Sequence, residues 1–177
     1  IKPDGTVLTV TDRQARDVTK YPDYPLYNAI RIKTVVLQEV AEETVVEYQA
    51  RWIINRLPDG KLLWHRELQT TEPILQARYV LKVPPGYDVK FKSDDPGYVP
   101  LPGSLTPRRE GNRANVTFTW EFNKIPALAS DNAIPPAVDL TASVSATSFK
   151  DWRQVHVWWS KIFNNKLIPS PEIKGLV

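Results

Sequence analysis

The sequence predicts a mainly β protein, an antiparallel β-sandwich with a C-terminal α-helix. Three observations predict it. The 177 residues hold 16 prolines against 7 glycines. That balance suits strands joined by proline-rich connections and argues against long helices, because proline removes a backbone donor and clashes with the preceding turn. Apolar side chains alternate at period two through much of the first 147 residues. Such alternation puts one face of a strand on a core and the other toward water. At Ser148 the apolar spacing becomes helical. Two parts follow, a sandwich domain over residues 1–147 and a helical linker over residues 148–177. With 42% hydrophobic and 24% charged residues, the chain has the apolar surface for a sizeable core.

The elements run in order as follows. Pro3-Asp4-Gly5 is a turn with almost no strand before it, and Thr6–Thr11 is the returning strand. Tyr21–Tyr27 is aromatic and proline-rich, hence irregular. Ala29–Val40 and Thr44–Leu57 are extended, joined at Ala41-Glu42-Glu43. In the second, Val46, Tyr48, Ala50, Trp52 and Ile54 share a face. Pro58-Asp59-Gly60 turns tightly into Lys61–Thr70. Gln76–Val83 and Tyr87–Lys92 flank Pro84-Pro85-Gly86. A hairpin joins Ser104–Arg109 to Arg113–Asn123 through Gly111-Asn112, residues that tolerate positive φ. Ala137–Thr147 is the last strand. These eight or nine strands with hairpin turns favour an antiparallel sandwich. The helix spans Phe149–Asn164, with Ser148 as its cap, Asp151 near its positive end and Lys161 and Lys166 near the other. Ser170-Pro171-Glu172 opens another helix. With no Met, a bare turn at the start and a last helix too short to stand alone, both ends read as cut.

Composition excludes several chemistries. No Cys means no disulfide, thiolate metal site or Cys nucleophile, and two histidines cannot make a three-His zinc site. Net charge is +3 with scattered Lys and Arg. Arg108, Arg109 and Arg113 read as a solvated loop, so no nucleic-acid partner is expected. No apolar run reaches the ~20 residues of a membrane helix. Glu42-Glu43 and Asp94-Asp95 are adjacent pairs in turns, whereas paired catalytic carboxyls face each other across a cleft. Ser93–Gly97 lacks the alternating oxygens of a calcium loop. Asn115-Val116-Thr117 matches a glycosylation sequon but lies inside a strand. No cofactor or metal is expected.

Two groups of residues remain. On the helix, Trp152, Val155, Trp159, Ile162 and Phe163 fall on one stripe, with His156 within it and Trp158 at its edge. The stripe is wider than one contact with a sheet needs, which marks an interdomain interface. The second group is Trp64, His65 and Tyr87. Exposed aromatics of this kind suit a carbohydrate-binding sandwich, provided their rings lie coplanar and open. His65 with Glu67 offers an acid–base pair but no visible nucleophile. Trp52 and Trp120 follow the apolar alternation of their strands and belong to the core.

The junction of strands and helix resembles a known family. The residues are Phe118, Trp120, Asn123, Pro126 and Ala127, then Pro135-Pro136, then Ser148, Trp152, Val155, Trp158 and Trp159, then Pro169 to Ile173. Ile1 to Gly5 and Val45 to Tyr48 also fit. The chain resembles a bacterial domain of unknown function that sits directly before a transglutaminase-like core. The resemblance implies a β-sandwich module of a periplasmic or envelope protein. With so few reactive groups, the chain is expected to be non-catalytic, to pack against its own downstream catalytic domain, and to take a protein or glycan as any further ligand. The family's Cys-His-Asp triad lies in that core, and this Cys-free chain carries none of it.

Overall fold

The computed structural model describes residues 1–53, 57–111, 115–128, 135, 137–164, 167–169 and 171–175. They form two compact units, Ile1–Ile53 and Ile54–Val177.

In the first unit, β1 (Ala15–Thr19) pairs antiparallel with β2 (Arg31–Val35), with Val18 opposite Ile32. Arg31 fastens the pair, its Nε lying 2.8 Å from Asp17 Oδ1 and its Nη2 2.9 Å from the Asp17 carbonyl. The strand expected at Thr6–Thr11 is absent. Asp4 Oδ1 accepts the Thr6 amide at 2.8 Å, and Gln14 Oε1 accepts the Thr11 amide at 2.8 Å. Such local side-chain bonds compete with a ladder. The expected strand at Ala29–Val40 shortens to β2. Thr44–Ile53 is no strand either, despite its alternation, and residues 54–56 of that expectation lie outside the described ones. Glu39 and Glu43, with φ of 56° and 64°, break the backbone on either side of the connection. Trp52, expected in the core, is exposed. Alternation reports which side chains match a sheet, and it forms a strand where a ladder partner takes the backbone groups.

The second unit holds the sandwich. Its elements are β3 (Leu63–Glu67), β4 (Ile74–Val83), β5 (Lys90–Asp94), β6 (Arg108–Gly111), β7 (Val116–Ile125), α1 (Ala137–Leu140), β8 (Ser143–Thr147), α2 (Trp152–Asn164) and α3 (Pro171–Lys174). Two three-stranded antiparallel sheets result, in the orders β3-β8-β5 and β4-β7-β6. The turn expected at Gly111-Asn112 and the arm at Arg113 run into residues outside the described ones. Pro107, without an N–H, stands where β6 begins. The strand expected over Ala137–Thr147 is half helix. Ala142 is held by two bonds to one segment, its amide to Gln69 Oε1 at 3.0 Å and its carbonyl to the Leu68 amide at 2.8 Å. The ladder therefore starts only at Ser143.

The core lies between the two sheets. Trp120 on β7 is 1% exposed, and Phe122, Ile125, Leu68, Val144 and Ala146 join it. Trp64 of β3 stacks on Trp120 with centroids 5.5 Å apart, and Phe91 of β5 meets it edge-on at 5.4 Å. Phe91 also meets Phe118 of β7 at 4.7 Å. The indole N–H of Trp120 donates to the Leu105 carbonyl at 3.0 Å, so burial leaves no orphan donor.

The helix leaves β8 through a clamp. Ser148, expected as the helix cap, instead pairs with Leu62: its Oγ accepts the Leu62 amide at 2.8 Å, and its own amide donates to the Leu62 carbonyl at 3.1 Å. Asp151 takes the capping role, its Oδ1 accepting the Gln154 amide at 2.7 Å. Gln154 reaches back to the Lys150 amide at 2.8 Å. The helix therefore begins at Trp152 rather than Phe149, and Phe149 is buried instead. The expected cap at Ser170 and the Lys166 charge lie outside the described residues.

Gly103 has φ of +123°, and a Cβ there would meet Phe122 Cδ1 at 2.9 Å. Gly103→Ala should cost about 1–3 kcal/mol, read as a lower urea midpoint at unchanged slope. In the first unit, Lys2 pairs with Glu39, and this bond holds the Glu39 carboxyl below its usual value. Because the folded value is depressed, the pairing favours the fold above the ordinary carboxylate range and fades as pH falls through the depressed value. An NMR titration of the Glu39 carboxyl should give a midpoint below the ordinary glutamate value.

Candidate functional site

Helix α2 turns by about 100° per residue, so Trp152, Trp159 and Phe163 fall within about 40° of one another. Val155, Trp158 and Ile162 lie about 60–120° round from Trp152. The structure separates these two rows. Val155, Trp158 and Ile162 are half-buried, and Trp158 packs edge-on against Phe149 at 5.4 Å. Trp152 is 85% exposed, Trp159 51% and Phe163 42%. The single stripe expected from spacing is thus an inner row that seats the helix and an outer row that faces water. His156 lies between Trp152 and Trp159 on the outer row and is exposed. Exposed Leu167 and Ile168 follow the helix.

Two members of the outer row are packed against neighbouring rings. Trp159 packs against Trp158 at 5.9 Å and against Phe163 at 4.8 Å, both tilted. The helix itself is tied to the sandwich at both ends. Lys90 Nζ donates to the Lys150 carbonyl at 2.6 Å, the Lys61 ammonium sits 5.5 Å from the Phe149 ring centre, and Lys161 Nζ lies 3.0 Å from Asp59 Oδ2. An exposed ion pair such as Lys161–Asp59 contributes little energy, but it limits which way the helix can swing.

The second group of residues does not converge. Successive residues of a strand point to opposite faces. Trp64 therefore turns inward onto Trp120, while His65 turns outward, its Nδ1 3.0 Å from Ser145 Oγ. The Tyr87 hydroxyl donates to the Gly60 carbonyl, and its ring packs against the core. Trp64 and Tyr87 offer no shared open platform for a sugar ring. Glu67 shares the exposed face of β3 with His65, and Ser145 is the hydroxyl beside it. Among the described residues, no group of three His, Asp or Glu side chains is placed to hold a metal ion. A depression of about 150 Å³ lies between Ser104, Thr106, Arg108 and Glu121, and a shallow, open one of about 340 Å³ lies between Lys82, Glu110, Gly111, Asn115 and Thr117. The first is smaller than the roughly 300–1,000 Å³ of ordinary ligand pockets, and the second is at the bottom of that range.

Sequence spacing found the helix and its aromatic content. It missed the division into two rows, because that division depends on where Phe149 and the Leu62–Ser148 clamp hold the helix. One signal was available: Trp158 lies off the Trp152–Trp159 line, toward Val155 and Ile162.

Comparison with known proteins fits this architecture. Residues 1–129 match DUF3857, a family described as a domain of unknown function with a solved structure. No curated protein matches. A crystal structure from Parabacteroides distasonis, described as a "putative protease", superposes with a TM-score of 0.60 at 18% identity. The match covers 86% of this chain and 29% of that one, so this chain spans less than a third of that protein. At this identity the likeness is one of fold.

The two rows should respond differently to truncation. Trp158→Ala should destabilise by about 1–3 kcal/mol, through the lost contact with Phe149. Trp152→Ala should stay within about 0.5 kcal/mol. Thermal unfolding of the two variants checks the order.

Proposed function

Because this chain belongs to the DUF3857 family, we propose that it is a non-catalytic β module of a bacterial envelope protein, and that it positions a transglutaminase-like or peptidase-like catalytic domain. The outer row of α2 carries the reading. A helix clamped to a sandwich presents Trp152, Trp159 and Phe163 to water. Contiguous exposed aromatic surface of this kind is costly to hydrate and is characteristic of an interface. Trp is also the side chain most often found at interface hot spots.

Two further observations support the reading. Residues 130–177, including all of α2, lie outside the family match, where an element shared with a neighbouring domain belongs. The similar crystal structure embeds the fold in a chain about three times as long as this one, since the match covers 86% of this chain and 29% of that one. In this reading the chain supplies orientation and a packing surface, and the acid, base and nucleophile belong to the other domain. His65 with Ser145 is then a cross-strand surface pair.

The test uses the purified 177-residue chain and a transglutaminase-like domain supplied separately. Trp152→Ser/Trp159→Ser should weaken their association by roughly tenfold or more, with the unfolding midpoint kept. Undiminished association, or hydrolysis of a peptide or amide by the 177-residue chain alone, overturns the proposal.

A further inference from the structure

The loop joining β1 to β2 is built more firmly than a connection requires. It closes where the Lys20 amide donates to the Ile30 carbonyl at 2.8 Å. Inside it, the amides of Tyr24, Tyr27 and Ile30 donate to the carbonyls of Tyr21, Tyr24 and Tyr27 at 3.2, 2.9 and 2.9 Å. Pro22 and Pro25 directly follow the first two acceptors, where a fixed φ suits a turn. The Tyr21 and Tyr27 rings meet edge to face at 5.8 Å, and the Lys20 ammonium lies 5.3 Å from the Tyr21 ring centre. This frame holds Leu26 in water at 93% exposure, between exposed Tyr24 and Tyr27.

The charges around the loop are uneven. From Lys20 to Lys33 the cations are Lys20, Arg31 and Lys33, and the carboxylate is Asp23. Arg31 is engaged by Asp17, which also stands opposite Lys33 in the ladder, and the Lys20 and Lys33 side chains are both exposed.

We propose that this loop docks on an anionic lipid bilayer. Leu26 enters the acyl boundary, Tyr24 and Tyr27 lie at headgroup level, and Lys20 and Lys33 attract the anionic headgroups. Each part matches what an interface accepts: an apolar tip, amphipathic aromatic rings beside it, and basic groups within a Debye length of the surface. Shape favours lipid over protein. A protruding leucine needs a matching pocket in a protein, whereas a fluid acyl layer closes around it. One short tip with two lysines gives weak, reversible attachment. This proposal stands apart from the role given to α2.

The chain has no cysteine, so a single thiol can report on the tip. Leu26→Cys carries an environment-sensitive fluorophore, and Lys82→Cys, at an exposed position on β4 of the other unit, is the control. Vesicles of phosphatidylcholine with phosphatidylglycerol should shift the Leu26→Cys label to the blue and leave the control unchanged, and added salt should reverse the shift. Unlabelled Leu26→Glu should partition roughly tenfold less, or weaker still, in co-sedimentation. The proposal fails if anionic vesicles give no shift, if both labels shift alike, if phosphatidylcholine alone does as well, or if Leu26→Glu sediments like the parent chain.

Discussion

The sandwich rests on one aromatic layer. Trp120 sits at its centre, stacked by Trp64 from β3 and met edge-on by Phe91 from β5. Each sheet has three strands, and two of the three strands opposite β7 put an aromatic ring on this one indole. Small sheets bury little area elsewhere, so the contact between them dominates their stability. The Leu105 carbonyl completes the arrangement by accepting the indole N–H. A phenyl ring at position 120 would keep much of the area and leave that carbonyl without its donor.

Topology carries this constraint to the surface. β8, the last strand in sequence, is the middle strand of its sheet, between β3 and β5. The next residues are the Leu62–Ser148 clamp, buried Phe149 and the Asp151 cap. Helix α2 therefore leaves from the centre of a sheet rather than from its frayed edge. Its inner row is used in holding it, and in its outer row Phe163 packs onto Trp159, which packs onto Trp158 of the inner row. An aromatic surface fixed in direction loses less conformational freedom on association than the same residues on a loose tail. That is the physical basis for giving α2 a positioning role.

Much of this was legible in the sequence, for reasons that differ by element. β4 and β7 were clear because Leu81, Val83, Phe118, Trp120 and Phe122 alternate over full-length strands that pair with each other. Family membership was legible from the phrase around Trp120; the phrases around Trp152 lie outside the matched residues 1–129. The segments Thr6–Thr11 and Thr44–Ile53 have strand composition without strand pairing, and a partner's backbone is not written in a segment's own residues. The helix start was misplaced because Ser148 and Asp151 are both good caps. The choice fell to Asp151 because the Leu62 backbone, 86 residues away, claims the serine. Trp64, expected among exposed aromatics, is covered for a similar reason: its strand is short, and the ring that covers it lies in the other sheet.

The central claim, that the outer row of α2 is a surface made to be covered, is tested most directly by hydroxyl-radical footprinting. The chain is labelled alone and when joined to a transglutaminase-like domain, and oxidation is read at each aromatic residue. The account predicts fast oxidation of Trp152, Trp159 and Phe163 in the chain alone, strong protection of all three in the joined protein, and slow oxidation of Trp120 in both. Equal oxidation of the three residues in the two states would contradict it.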